Sequence, residues 1–137
     1  MNERPELRHV VAQWVSKAEE DLTAAEYLLT MGAQCPFATV CFHAQQLVEK
    51  YLKAFLAFHS VPFPKTHDLA ELASALPPSQ VLPVEAAELA LLKRYAVEAR
   101  YPGDWEPITR QESEEAVQIA KRIRRAIRSQ LQGITGI

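Results

Sequence analysis

Apolar residues recur three and four positions apart along nearly the whole chain, and no stretch sustains strict apolar–polar alternation, so the pattern predicts helices throughout. A first helix is expected over about residues 10–31, with Val11, Trp14, Ala18, Leu22, Ala25 and Leu29 on one face, an acidic outer face of Glu19, Glu20 and Glu26, and Gly32 as a left-handed cap. A second, over about 36–59, opens on Pro36, whose missing N–H costs nothing in a first turn. At about 100° per residue, Val40, Ala44, Leu47, Val48, Tyr51 and Phe55 share its apolar face, while His43, Gln46, Lys50 and Lys53 share the opposite one. Pro62 and Pro64 then break the chain. Thr66 is the expected cap of a short third helix over about 67–76, with Asp68 in its first turn and Pro77-Pro78 at its end. The fourth helix, about 84–100, stops at Tyr101-Pro102-Gly103, because the residue before a proline disfavours helical torsions. Thr109 and Glu112 form a capping box for the last, which runs to about residue 131 with Ala116, Ile119, Ile123 and Ile127 as its buried stripe.

Two long antiparallel helices, a short third and two more that close the core make an all-α, up-and-down bundle of four to five helices. No repeat or long linker divides the chain, so a single domain over 1–137 is expected, large enough to fold without a metal or disulfide. A net charge of -2 argues against coating nucleic acid through an overall field, although a local basic face stays open. Cys35 and Cys41 fit no Cys-x-x-Cys spacing and read as buried free thiols in a reducing compartment. The polar residues 1–9 do not resemble the apolar centre of a signal peptide, and the richest apolar stretch, 37–58, is interrupted by His43, Gln45, Gln46, Glu49, Lys50 and Lys53. A cytoplasmic protein that spans no membrane is expected.

Three features carry candidate chemistry. Lys121, Arg122, Arg124, Arg125 and Arg128 converge within two turns as a phosphate-binding face would, but they equally match the negative end of a helix dipole, and no aromatic residue is interleaved to stack a base. The stripe of His43, Gln46, Lys50 and Lys53 offers donors for a phosphate or an acidic surface, or is simply solvated; Phe42, placed on the polar side, suggests a self-association surface there. The segment 94–105 gathers Arg94, Tyr95, Arg100, Tyr101, Asp104 and Trp105, residue types that dominate binding hot spots and base stacking. Its plainer reading puts Tyr95 in the core, pairs Arg94 with Glu98 and packs the loop aromatics over the bundle end. Cys41 and His43 point about 200° apart on a helix and cannot share a metal. There is no Ser-His-Asp order, glycine-rich phosphate loop or His-Glu-x-x-His spacing, so neither a metal nor a cofactor is implied.

Four segments taken in order carry a family resemblance: Trp14-x-x-Lys17-Ala18-x-x-Asp21-Leu22-x-x-Ala25, Phe42-His43-Ala-Gln45-Gln46-x-x-Glu49-Lys50-x-Leu52-Lys53-Ala54, Lys65-Thr66-His67-Asp68-Leu69, and Arg100-Tyr101-Pro102. Together they resemble the HEPN family, a helical fold close to that of the substrate-binding partners of nucleotidyltransferases. The resemblance implies a homodimer and, in many prokaryotic members, a neighbouring minimal nucleotidyltransferase with which the domain forms a toxin–antitoxin pair. It also implies, for many members, a metal-independent ribonuclease whose motif is an arginine followed four to six residues later by a histidine. Here Arg100 is followed by Tyr-Pro-Gly-Asp-Trp-Glu-Pro and no histidine; the literal match Arg4 to His9 contains Pro5, precedes the expected first helix and reads as chance. What carries over is Asp21, often paired electrostatically with the motif arginine, and Arg100 as a phosphate contact.

Two readings from different classes follow. In the first the chain is a binding module without the ribonuclease motif, a homodimer that holds a nucleotide, an RNA phosphate or a nucleotidyltransferase through Asp21, Lys50, Lys53, His67, Arg94, Arg100 and Tyr101, with no catalytic residue. In the second it is a metal-independent RNase toxin using Arg100 with a displaced base, His67 or Asp104; absence of an imidazole at the motif position favours the first. A purely structural adaptor is the remaining possibility, and it predicts no change in melting temperature with nucleotide.

Overall fold

The computed structural model describes residues 5–131, and all the regular structure among them is helical: α1 (Pro5–Leu29), a short 3₁₀ turn (Gly32–Gln34), α2 (Phe37–Phe58), α3 (Leu69–Ser74), α4 (Ala86–Arg100) and α5 (Arg110–Gln130). Contacts between distant residues fix the directions. Trp14 faces Lys53 and Asp21 faces His43, so α1 and α2 run antiparallel. Glu88 meets Arg122 and Tyr95 meets Glu112, so α4 and α5 do the same. The result is the up-and-down bundle that the periodicity predicts.

α2 is the centre of the bundle, packed by α1, α3, α4 and α5. It is therefore buried on more than its apolar face: Val40, Ala44, Leu47, Val48, Tyr51 and Phe55 are in the core, and so are Gln45, Glu49 and Lys53. From the other helices come Val11, Val15, Ala18, Leu22 and Ala25 of α1, Leu89, Leu92 and Tyr95 of α4, and Ala116, Ile119, Ile123 and Ile127 of α5. Each large aliphatic side chain so enclosed contributes about 1.5–3 kcal/mol.

The ends follow local chemistry, with some departures from expectation. α1 is helical from Pro5, well before residue 10, because proline is tolerated in a first turn; His9 therefore lies inside the helix, while Arg4 lies outside the described residues. Gly32 takes the positive φ of 68° that turns the chain out of α1. The third helix is shorter than expected, and Asp68, not Thr66, caps it: the Asp68 carboxylate accepts from the Ala70 N–H at 2.9 Å, and Thr66 Oγ1 instead accepts from the Asp68 N–H. α4 starts on a capping box of Glu85 and Glu88, and Thr109 with Glu112 supplies the one expected for α5. Cys35 and Cys41 are both buried and unlinked. Among the described residues no helix is long and apolar enough to cross a membrane.

Candidate functional site

The polar stripe of α2 is not a solvated face, because α1 and the connection after α2 deliver carboxylates and an imidazole onto it. Asp21, buried on α1, spends both oxygens on α2: Oδ1 bonds His43 Nδ1 at 2.8 Å and Oδ2 accepts from Lys50 Nζ at 2.6 Å. One turn along, Glu49 is 3% exposed and forms a second knot. It accepts from Lys53 Nζ at 3.1 Å and from the Gln45 and Gln46 amides at 3.3 Å, and bonds His67 Nδ1 at 3.0 Å. Gln45 also donates to the His67 carbonyl, so the incoming loop is tied twice. Burial alone would raise the Glu49 carboxyl, yet its bonds from His67, Lys53 and Gln45 outweigh that and hold it below the usual range. The Lys53 ammonium also lies 5.3 Å from the Trp14 ring centre, which shelters it further.

Arg100 sits at the exposed end of α4 in a different setting. Its guanidinium lies 5.2 Å from the centre of the Phe42 ring, its Nε donates to the Ala96 carbonyl at 3.4 Å, and among the described residues no carboxylate pairs with it. Phe42 is thus half-buried beneath an arginine of its own chain. The expected pairing of Asp21 with Arg100 does not form, since Asp21 is already committed to His43 and Lys50. The Phe42 ring also meets the His43 ring edge-on at 5.7 Å. Beyond Arg100, Tyr101 and Trp105 are 60% and 46% exposed, and the Trp105 indole N–H donates to the Tyr101 carbonyl at 2.8 Å. Gly103 permits this fold-back: a Cβ there would lie 2.7 Å from the indole ring.

The remaining candidates lie elsewhere. Arg94 pairs with Glu98 at 3.2 Å and approaches Glu112 at 3.8 Å, and Tyr95 is core, as the plainer reading of that segment has it. The basic run of α5 is largely committed to neighbouring helices, with Arg125 left on the exposed side. Lys121 pairs with Glu26, Arg122 with Glu88, and Arg124 grips Glu19 through two bonds of 2.7 and 2.8 Å, while Arg128 donates to Tyr51. The Arg124 bonds in turn hold the Glu19 carboxyl below its ordinary value, and Tyr51, which also donates to Glu19, is pushed up to about 12, chiefly by burial. Of the acidic outer face expected of α1, Glu19 and Glu26 receive α5, while Glu20 stays exposed beside Lys17 of its own helix.

The structure thus joins Asp21 with Lys50, links Lys53 to His67 through Glu49, and leaves Arg100 with Tyr101 at the end of α4. Sequence reasoning passed over Glu49 and Gln45 as polar interruptions of an apolar stretch. Their signal was present as the four-residue spacing of Gln45, Glu49 and Lys53, which stacks three complementary groups on one face.

Comparison with known proteins agrees with this architecture. The model of the HEPN domain matches residues 11–130. The chain belongs to the HEPN family. Among solved structures, TT1696 from Thermus thermophilus superposes on this HEPN chain with a TM-score of 0.72 at 26% identity, over 87% of this chain and 96% of that one. ST0689, an archaeal HEPN homologue, shares the fold at a TM-score of 0.64 and 23% identity, over 89% of this chain and 98% of that one. The comparison with curated proteins finds no match.

Proposed function

We propose that this HEPN-family chain is a binding module that presents Arg100, flanked by Tyr101 and Trp105, to a phosphate-bearing ligand, a nucleotide or RNA. One observation carries the reading. Lys50, Lys53 and Arg94 are each paired with a carboxylate, whereas Arg100 is exposed, held on an aromatic face and without an acidic partner among the described residues. A guanidinium so placed keeps its donors for an incoming oxyanion, and exposed aromatic rings beside it suit a base. A homodimer and docking to a minimal nucleotidyltransferase, as in a toxin–antitoxin pair, complete the proposal and rest on family membership. Holding is favoured over cutting because no histidine follows Arg100 before α5 begins, and of the two displaced bases of the ribonuclease reading, His67 is bonded to Glu49 and Asp104 is a carboxylate in place of an imidazole.

The test is fluorescence anisotropy of labelled single-stranded RNA and labelled ATP with the native chain and Arg100→Ala, with RNA integrity followed on gels. The substitution should weaken binding about tenfold or more, since a hydrogen bond to a charged group contributes about 1.5–3 kcal/mol. The RNA should stay intact. Equal binding by the variant would remove Arg100 from the site, and arginine-dependent cleavage would transfer the chain to the ribonuclease reading.

A further inference from the structure

The loop after α4 closes a cavity of about 350 Å³ between the last turns of that helix and the start of α5. Small-ligand sites span roughly 300–1,000 Å³, so the space admits a single ring system. Trp105 and the half-buried Ile108 give it an apolar wall, and Arg94, Glu98, Asp104, Glu106 and Glu112 supply its polar lining. Two of these carboxylates are already spent within the chain. Glu98 pairs with Arg94 Nε at 3.2 Å, and Glu112 accepts from the Tyr95 hydroxyl and the Thr109 N–H. Asp104 and Glu106, on either side of Trp105 in the loop, have no hydrogen bond or ion pair with any described residue. Arg94 keeps one nitrogen available: Nη2 approaches Glu112 at 3.8 Å, while Nη1 has no partner among the described residues.

We infer that this cavity is a guanine site, in which the base stacks on Trp105 and is recognised on both of its polar edges. A carboxylate only accepts, so Asp104 and Glu106 call for a ligand edge made of donors. Guanine is the RNA base whose pairing edge carries two adjacent donors, N1–H and the 2-amino group, which match the two oxygens of one carboxylate. Adenine and cytosine set one amino group beside a bare ring nitrogen, and uracil sets one N–H between two carbonyls, so their lone pairs would face the acid. Guanine O6 and N7 are acceptors for which a guanidinium is the commonest partner, and Arg94 Nη1 supplies that donor. The indole gives the flat face on which an unpaired base stacks. An organic cation, the other ligand an acidic cavity attracts, meets the Arg94 guanidinium already set against Glu98 and Glu112. All these groups line one cavity and none of them is Arg100, so naming the base goes beyond the phosphate contact proposed above.

The probes are GMP, IMP and AMP, titrated calorimetrically into the native chain, with quenching of the exposed Trp105 indole as a second signal. GMP should bind about five- to 150-fold more tightly than AMP, the discrimination of one good bidentate contact, with IMP, which lacks the 2-amino group, between them. The double substitution Asp104→Asn with Glu106→Gln exchanges acceptor oxygens for amides on an exposed loop, so the fold is kept; it should remove the preference and retain AMP binding. Trp105→Ala should weaken all three nucleotides about fivefold or more, and Trp105→Phe should recover most of that loss. Labelled oligouridylate carrying one guanosine or one inosine, read by anisotropy, separates a base within a strand from a free nucleotide, and a guanosine preference in either form supports the site.

Equal binding of GMP, IMP and AMP, with no preference for the guanosine strand, would sink the guanine site, and so would a preference that survives the double substitution. Spermidine bound more tightly than GMP, and lost in the double variant, would make the cavity a cation site and overturn the proposal. Arg100→Ala tells the two failures apart. If it weakens every nucleotide while the native chain ignores the base, the phosphate contact stands without the guanine site; if it binds like the native chain while the double variant loses the preference, the guanine site stands without the phosphate contact.

Discussion

A single missing carbon decides where the exposed indole of Trp105 lies. Gly103 needs no positive φ; what it supplies is space, because any Cβ would lie 2.7 Å from Trp105 Cε2 and Cζ2. Gly103→Ala should therefore push the ring off its seat and break its bond to the Tyr101 carbonyl. Tryptophan emission should shift to the red, with a stability loss below about 1 kcal/mol because the loop is exposed. An unchanged spectrum would show that the indole is not seated against Gly103. Cys41 illustrates the opposite case of a side chain fully committed to the core. Burial, assisted by the charges of Glu112, Glu98 and Cys35, pushes its thiol up to about 12, so it stays neutral and packs as a small apolar group.

At the scale of the element, the helix ends are local structures and were legible as such. The Thr109–Glu112 box of α5 forms as the spacing predicts, Thr109 Oγ1 accepting from the Glu112 N–H at 3.1 Å and Glu112 Oε1 from the Thr109 N–H at 3.0 Å. Thr109→Ala should cost about 1 kcal/mol in urea unfolding, with Thr109→Ser restoring most of it; a loss near zero would mean that water replaces the cap. Glu112 is used twice, since Tyr95 of α4 also donates to it. The third helix shows where local reading falls short. Thr66 and Asp68 are both good caps, and the choice between them depends on where the loop is pinned, which Glu49 and Gln45 decide by holding His67.

Over the whole molecule, carboxylates of α1 and α2 stitch the bundle together, and this sets its response to acid. Glu19 is held low first by Arg124, and Glu49 is held low against the opposing effect of its burial. A carboxyl whose folded value lies below its ordinary 4.5 contributes stability in full above about that pH and loses it as pH falls through the folded value. The urea midpoint should accordingly be steady near neutrality and decline below about pH 4.5, with Glu49→Gln showing a shallower decline; parallel curves would remove Glu49 from the account. Much of this architecture was readable beforehand. Periodicity, prolines and caps act over a few residues, so five helices, their apolar faces and an up-and-down order followed from the chain alone, as did Arg100 and Tyr101 at a helix end. Which charges remain available did not follow. A helical wheel shows that Lys50 and Arg124 point away from the apolar face, but their partners arrive from another helix: Lys50 meets Asp21 across 29 residues and Arg124 meets Glu19 across 105. Coulombic pairing depends on distance in space, not along the chain, so only the packed bundle could determine that these cations are spent on folding and that Arg100, resting on Phe42, has no carboxylate partner among the described residues.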